Sequence, residues 1–252
     1  LIQDIFDDVL THLDHDAARQ EQLRANLLRS ISHDLRTPLT SISGNALILT
    51  EKNPLLTEEK RRELSAAIYE DANWLNHLVE NLLSITRMEN GQVNLRIQPE
   101  LIQDIFDDVL THLDHDAARH TIVTNVADDL LMADMDAQLI EQVLVNLINN
   151  AIKYTPEHSR IELSAAPEGK FVRICVTDDG PGIPEESRDK LFDMFYTLGK
   201  TRSDGRRGLG LGLALCRSIV AAHGGVIDVQ NAAPHGACFR FTLPRTEVTL
   251  YE

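Results

Sequence analysis

Near residues 90–95 the apolar periodicity of this chain switches from a three–four spacing to a two-residue alternation. That switch divides it into a helical part and a mixed part. In the first part Leu28, Ile31, Leu35, Leu39, Ile42, Ala46 and Ile48/Leu49 form one stripe, the mark of a helix that buries one face. Asn53-Pro54 breaks the pattern, and Thr57 ahead of Glu58, Glu59 and Lys60 reads as a capped restart. A second stripe follows through Leu64, Ile68, Leu75, Leu78, Leu82 and Ile85. The two helices predict an antiparallel hairpin. A lone hairpin covers both stripes poorly, so a homodimer through this hairpin, a four-helix bundle, is expected.

Beyond Gly91, strands are predicted at 93–97, 121–126, 160–165, 171–176, 226–229 and 238–243, with helices at 101–118, 136–154 and 209–223. Helices interleaved with hairpin-like strand pairs point to an α+β sandwich, a sheet covered on one face by helices. Residues 1–19 recur identically at 101–119. An old duplication would have diverged, and two copies with unrelated flanks do not make a solenoid. The expected organisation is a duplicated helical segment of doubtful origin at 1–19, which would run on as helix into the first stripe. A helical hairpin over 20–91 and an α/β domain over 92–252 follow it.

The formal charge of −15 over 252 residues repels polyanions, which argues against nucleic-acid binding. No stretch approaches the roughly 18 uninterrupted apolar residues of a membrane span. The chain opens on Leu1, so a piece of a longer protein is expected, its anchoring and sensing parts lying elsewhere. Cys175, Cys216 and Cys238 stand in apolar contexts without metal-ligand spacing and are expected to be reduced, buried thiols.

In SISHDLRTPL (30–39), the direction of His33 lies about 150° from the first stripe at 100° per residue, so it faces solvent. Thr37 shares that outward face, and Pro38 predicts a bend because it has no N–H for the carbonyl of Asp34. Asp34 can raise the basicity of the neighbouring imidazole or fix its tautomer. An exposed, nucleophilic imidazole at a bend suits phosphoryl acceptance; an ordinary surface histidine is the alternative.

Three segments of the second part carry the chemistry of a nucleotide pocket. In NLINNAIKYT (146–155), Asn146 and Asn150 are one helical turn apart and Lys153 lies on nearly the same face. Amide oxygens can ligate Mg²⁺, with Asn150 the candidate metal ligand, while Lys153 offsets phosphate charge. DDGPGIP (178–184) follows a strand: Asp178 can accept from an amino group such as that of adenine, and Gly180 and Gly182 permit a sharp turn beside a flat ligand. GLGLGL (208–213) sets Gly208, Gly210 and Gly212 ahead of a helix, where free N–H groups bind phosphate. The basic segment 197–207 before it reads as a lid whose Lys200, Arg206 or Arg207 reaches the phosphates, with Phe192 and Phe195 packed beneath.

In order and spacing these segments resemble the cytoplasmic core of sensor histidine kinases over residues 20–244. SISHDLRTPL is similar to that family's H box, NLINNAIKYT to its N box and DDGPGIP to its G1 box. LFDMF (191–195) is similar to the F box and GLGLGL to the G2 box, with HGG (223–225) and GACFRFTLP (236–244) matching its closing segments. The resemblance implies the ATP-binding α/β sandwich shared with gyrase and heat-shock chaperones. It implies ATP-dependent phosphorylation of His33 assisted by Asp34, transfer to an aspartate of a response regulator receiver domain, and reverse phosphatase action with Thr37 orienting water. ATP and Mg²⁺ would be held by Asn146, Asn150 and Lys153, with Tyr154 beside the nucleoside and Asp178 on the adenine amino group. The H box, the short stretch 197–216 and HGG look most like KdpD-type kinases. The expected setting is the cytoplasmic portion of an inner-membrane sensor. A catalytically inactive, ATP-binding dimeric scaffold is the alternative.

Overall fold

The computed structural model describes residues 35–50, 56–89, 94–111, 113, 119–198 and 210–246. The chain divides into two compact units, 1–80 and 81–252. In the first, α1 covers residues 35–50, runs helical through the buried Pro38, and leaves Thr37 exposed, as its place on the face away from the stripe predicts. Helix α2 (Glu58–Glu89) starts where the capped restart was read: Lys60 N–H donates to Thr57 Oγ1 at 3.2 Å. Glu58 and Glu59 occupy its first turn and Arg87 its last, each sign matched to the helix dipole. Leu64, Leu78 and Ile85 are buried, and Ile68, Leu75 and Leu82 beside them are half-buried. These are the two seams of a heptad. The repeat 1–19 lies outside the described residues, and no described helix is long and apolar enough to cross a membrane.

The second unit is built on a five-stranded sheet of order β2-β4-β5-β7-β6: β2 (Thr121–Val126), β4 (Arg160–Glu168), β5 (Phe171–Asp178), β6 (Ile227–Asn231) and β7 (Ala237–Pro244). Only the β2–β4 pairing is parallel. Alternate residues Ile161, Leu163, Val172, Ile174, Val176, Phe239, Phe241 and Leu243 are buried, as a sheet with one covered face requires. The covering layer is α3 (Ile102–Thr111), α4 (Ala137–Tyr154) and α5 (Gly212–Ala222), which bury Phe106, Leu144, Leu147, Ile148, Leu215 and Ile219. Phe192 joins this core edge-to-face with Phe239 at 6.3 Å. The sandwich with helices on one face is therefore present.

Three expectations are corrected. The strand expected at 93–97 forms instead as β1 (Gln98–Leu101), paired with β3 (Met132–Met135), which the sequence reading missed. The N–H of Arg96 goes to Asp136 Oδ2 at 3.0 Å, so that stretch is tied to a helix cap and not to a ladder. The helix expected from 101 begins at Ile102, because Leu101 pairs with Met132 in β1. Of the three cysteines only Cys216 is buried; Cys175 and Cys238 are half-exposed, since they share parity with Arg173, Thr177 and Arg240 on the uncovered face.

Asp136 fastens α4. Its carboxylate accepts from Leu139 N–H at 3.4 Å and Arg96 N–H, and its own N–H donates to Nε2 of the buried His223 at 3.0 Å. His223 Nδ1 sits 2.8 Å from the carbonyl of Ile219 and so must be the protonated nitrogen, which leaves Nε2 to accept. HGG is thus the joint between the C-terminus of α5 and the N-terminus of α4. Replacing Asp136 by Ala removes the cap, and urea unfolding is expected to show a loss of about 1 kcal/mol.

Candidate functional site

Helix α4 turns Ile140, Val143, Leu144, Leu147, Ile148 and Ala151 to the core, which places Asn146, Asn150 and Lys153 on its other flank. Asn146 and Asn150 are half-buried, Lys153 is exposed, and its ammonium lies 5.3 Å from the ring of the half-exposed Tyr154. That ring and the two amides border one side of the site.

The loop after β5 closes its far end. Asp178 is buried, 8% exposed, and its Oδ1 accepts from Gly180 N–H at 2.9 Å and from Ala237 N–H at 3.1 Å. Both bonds end on Oδ1, which leaves Oδ2 as the oxygen able to accept from a ligand amino group. Burial pushes this carboxyl above the usual carboxylate range, its two backbone donors oppose that, and Asp179 adds to the rise. A Cβ on Gly180 would meet Thr155 at 2.8 Å, so the loop lies directly on the C-terminal end of α4. At Gly236 a Cβ would fall 1.8 Å from the carbonyl of Asp178; only glycine lets β7 approach closely enough for Ala237 to donate. Gly182 adopts φ 76° beside Asn231. Asn231 accepts from Ile183 N–H at 2.9 Å and donates to the Ile183 carbonyl at 3.2 Å, clasping the loop to β6.

At the other end, Gly210 has φ 66°, and a Cβ there would lie 2.5 Å from the carbonyl of Tyr196. Its own carbonyl accepts from Phe195 N–H at 3.0 Å. This tight turn delivers the chain to α5, whose N-cap Leu211 makes no side-chain capping bond. The first N–H groups of α5 are thus without a side-chain acceptor at that cap. A Cβ on Gly212 would stand 3.2 Å from Asn146 Oδ1, so the amide and the helix N-terminus adjoin.

The structure therefore brings together Asn146, Asn150, Lys153, Tyr154, Asp178, Gly180, Gly182, Gly210 and Gly212. Thr37 lies on α1 in the other unit, while His33, Asp34, Lys200, Arg206, Arg207 and Gly208 lie outside the described residues. Thr155, Asn231, Gly236 and Ala237 were missed. An Asn ending a strand ahead of a Pro-containing turn signals the clasp; no local signal ties Ala237 to Asp178, 59 positions away. Truncating Asn231 to Ala strands both main-chain groups of Ile183. A drop of about 1 kcal/mol in urea unfolding is expected, with weaker nucleotide binding by titration.

The donor set fits a nucleoside triphosphate: a buried acceptor at one end, and neutral amides beside main-chain N–H groups at the other. Asn146 and Thr155 are separated by roughly 13 Å of helix, the scale of an extended mononucleotide. Hard amide oxygens also suit Mg²⁺ whose charge is met by phosphate. Among the described residues no cluster of three His, Cys, Asp or Glu side chains offers a metal site independent of a ligand.

Residues 135–247 match the family model of the histidine kinase-, DNA gyrase B- and HSP90-like ATPases, and residues 23–91 that of the His Kinase A phospho-acceptor domain. The chain is 43% identical over 226 residues to the sensor protein KdpD of Clostridium acetobutylicum, an alignment covering 90% of this chain and 25% of that protein. It thus spans a quarter of that relative's length. Its fold matches the histidine kinase ThkA in complex with the response regulator protein TrrA, at 26% identity and TM-score 0.69, over 90% of this chain and 64% of the other. Full-length ShkA in complex with AMPPNP matches at 30% identity and TM-score 0.64, over 88% and 46%.

Proposed function

This chain belongs to the sensor histidine kinase family, and on that premise we propose that it phosphorylates His33 from ATP and passes the phosphoryl group to a response regulator. The observation that carries the reading is Asp178. Its Oδ1 is saturated by Gly180 and Ala237, and its Oδ2 is free to read an amino group at the opposite end of α4 from the N-terminus of α5. Asp178 receives the adenine amino group, and Tyr154 flanks the nucleoside. Asn146, Lys153 and the α5 N–H groups beyond Gly208, Gly210 and Gly212 receive the phosphates. Lys200 and Arg206 supply further positive charge to the phosphates. Asn150 would hold Mg²⁺, which would neutralise phosphate charge.

One imidazole nitrogen of His33 attacks the γ-phosphorus in line, its bond forming as the β–γ bridging bond breaks and ADP leaves. Asp34 stabilises the positive charge that develops on the ring. The phosphoryl group then passes to a receiver carboxylate, restoring the imidazole; Thr37 positions water for the reverse phosphatase reaction. The half-buried seam of Ile68, Leu75 and Leu82 supports dimerisation through the hairpin. Similarity to KdpD supports a KdpD-type assignment, with the chain as the cytoplasmic portion of an inner-membrane sensor and no nucleic-acid partner.

The test is incubation with γ-labelled ATP. Saturable nucleotide binding and an acid-labile, alkali-stable protein phosphate that a receiver domain removes are expected. Binding without label would leave the inactive scaffold in its place.

A further inference from the structure

Strand β2 forms one edge of the five-stranded sheet, and among the described residues it pairs only with β4. Thr121 N–H donates to the carbonyl of Ser159, and Ala127 N–H to that of Ala165. By the two-residue repeat of a strand, Val123 and Asn125 also turn their main-chain groups to β4. Ile122, Thr124 and Val126 therefore present theirs to the open side. Nothing in the sequence blunts this edge: TIVTNV has no charge, no proline and no glycine, and five of its six residues are β-branched.

The packing is unfinished along the same line. Ile122, Thr124 and Val126 share the covered face with their register partners Ile161, Leu163 and Ala165 of β4. Those three are buried, whereas the β2 residues are only half-buried. The helical layer stops short of this edge, and one more strand would complete both ladder and core.

We propose that this strand is β2 of a second copy of the chain, antiparallel about a two-fold axis through Thr124. Outward-facing residues of an antiparallel pair stand directly opposite one another. With the axis at Thr124 the whole strand overlaps: Thr124 meets Thr124, and Ile122 meets Val126. Each outward N–H then finds an outward carbonyl, and the two apolar residues pack across the join. The register also sets Asp128 and Asp129 towards His120 and Arg119 of the second copy. Chains with a formal charge of −15 thus meet through a neutral strand with unlike charges at its ends. A seam of one strand is small beside the roughly 800 Å² per partner of a stable interface, so it forms reversibly.

Residue-resolved hydrogen exchange on the full chain at high concentration tests this. The amides of Ile122, Thr124 and Val126 should be protected; an edge roughly nine-tenths paired exchanges about ten-fold more slowly than a bare one. Thr124→Lys and Thr124→Glu each set like charges face to face across the axis, and each should lose the protection at Ile122 and Val126. Co-expression of the two variants should restore it, because Lys then faces Glu. Thr124→Pro deletes an N–H that β4 does not use, so it should expose the same amides without loss of fold. The amides of Val123 and Asn125, bonded to β4, report folding throughout; where a charged variant loses them, Thr124→Pro carries the test. Fast exchange at Ile122 and Val126 in the unsubstituted chain would overturn the proposal. So would protection that survives in each folded variant alone, which would place a segment of the same chain or a different protein on the edge, or a failure of the co-expressed pair to regain it.

Discussion

His33→Gln is expected to abolish acid-labile phosphorylation while leaving ATP binding unchanged. Glutamine occupies nearly the same volume and retains hydrogen-bonding capacity, but an amide nitrogen has its lone pair delocalised and is no nucleophile towards phosphorus. The proposed nucleotide contacts come from α4, the loop after β5 and the start of α5, all distant in sequence from residue 33. Binding and labelling should therefore separate completely. Titration with a fluorescent nucleotide and autoradiography after acid and alkali treatment measure the two. Label persisting in the variant at wild-type yield would move the phosphoacceptor elsewhere. Unlabelled wild type with intact binding would instead describe an ATP-binding scaffold.

Asp178→Asn should weaken ATP binding by about ten- to a hundred-fold, the loss of a charge-assisted hydrogen bond worth about 1.5–3 kcal/mol. The amide keeps Oδ1 for Gly180 and Ala237 but turns an NH₂ towards the purine, so donor faces donor. Stability moves the other way. Burial, chiefly, raises the folded-state carboxyl above its unfolded value. A raised carboxyl adds stability fully only below the unfolded value, and that contribution is lost as pH rises through the folded one. The charged form thus opposes folding at neutral pH, and Asn has no such form. Thermal melts should find the variant at least as stable as wild type at pH 7, with the advantage fading as the pH falls through the acidic range. A variant less stable at pH 7 would show that the negative charge itself holds the loop.

Local period and punctuation made part of this molecule legible in its sequence. Helix α4 was legible because six core positions recur at helical spacing and Asp136 precedes them. The positions of β4, β5 and β7 were legible because their residues alternate, though β4 and β5 run on to Glu168 and Asp178 beyond the expected 165 and 176. Strand β3 was not, being four residues of Met, Ala and Asp with no β-branched side chain to mark it. The second bond to Asp178 joins positions 59 apart, and no local pattern encodes such a distance. The cysteines were misplaced through their apolar neighbours, although parity held the answer: Cys175 alternates in step with Arg173 and Thr177. Asp178 itself stood out because a carboxylate ahead of two glycines, straight after a strand, is a pattern carried by adjacent residues.

One helix carries both ends of the proposed nucleotide site, from Asn146 against Gly212 to Thr155 against Gly180. The distance between purine and phosphate recognition is consequently measured by a ruler with fixed graduations. Adding or removing a single residue between those marks would turn one end by about 100° and slide it by about 1.5 Å, with no loop to absorb the error. Side chains along this stretch can drift in identity, but their number cannot.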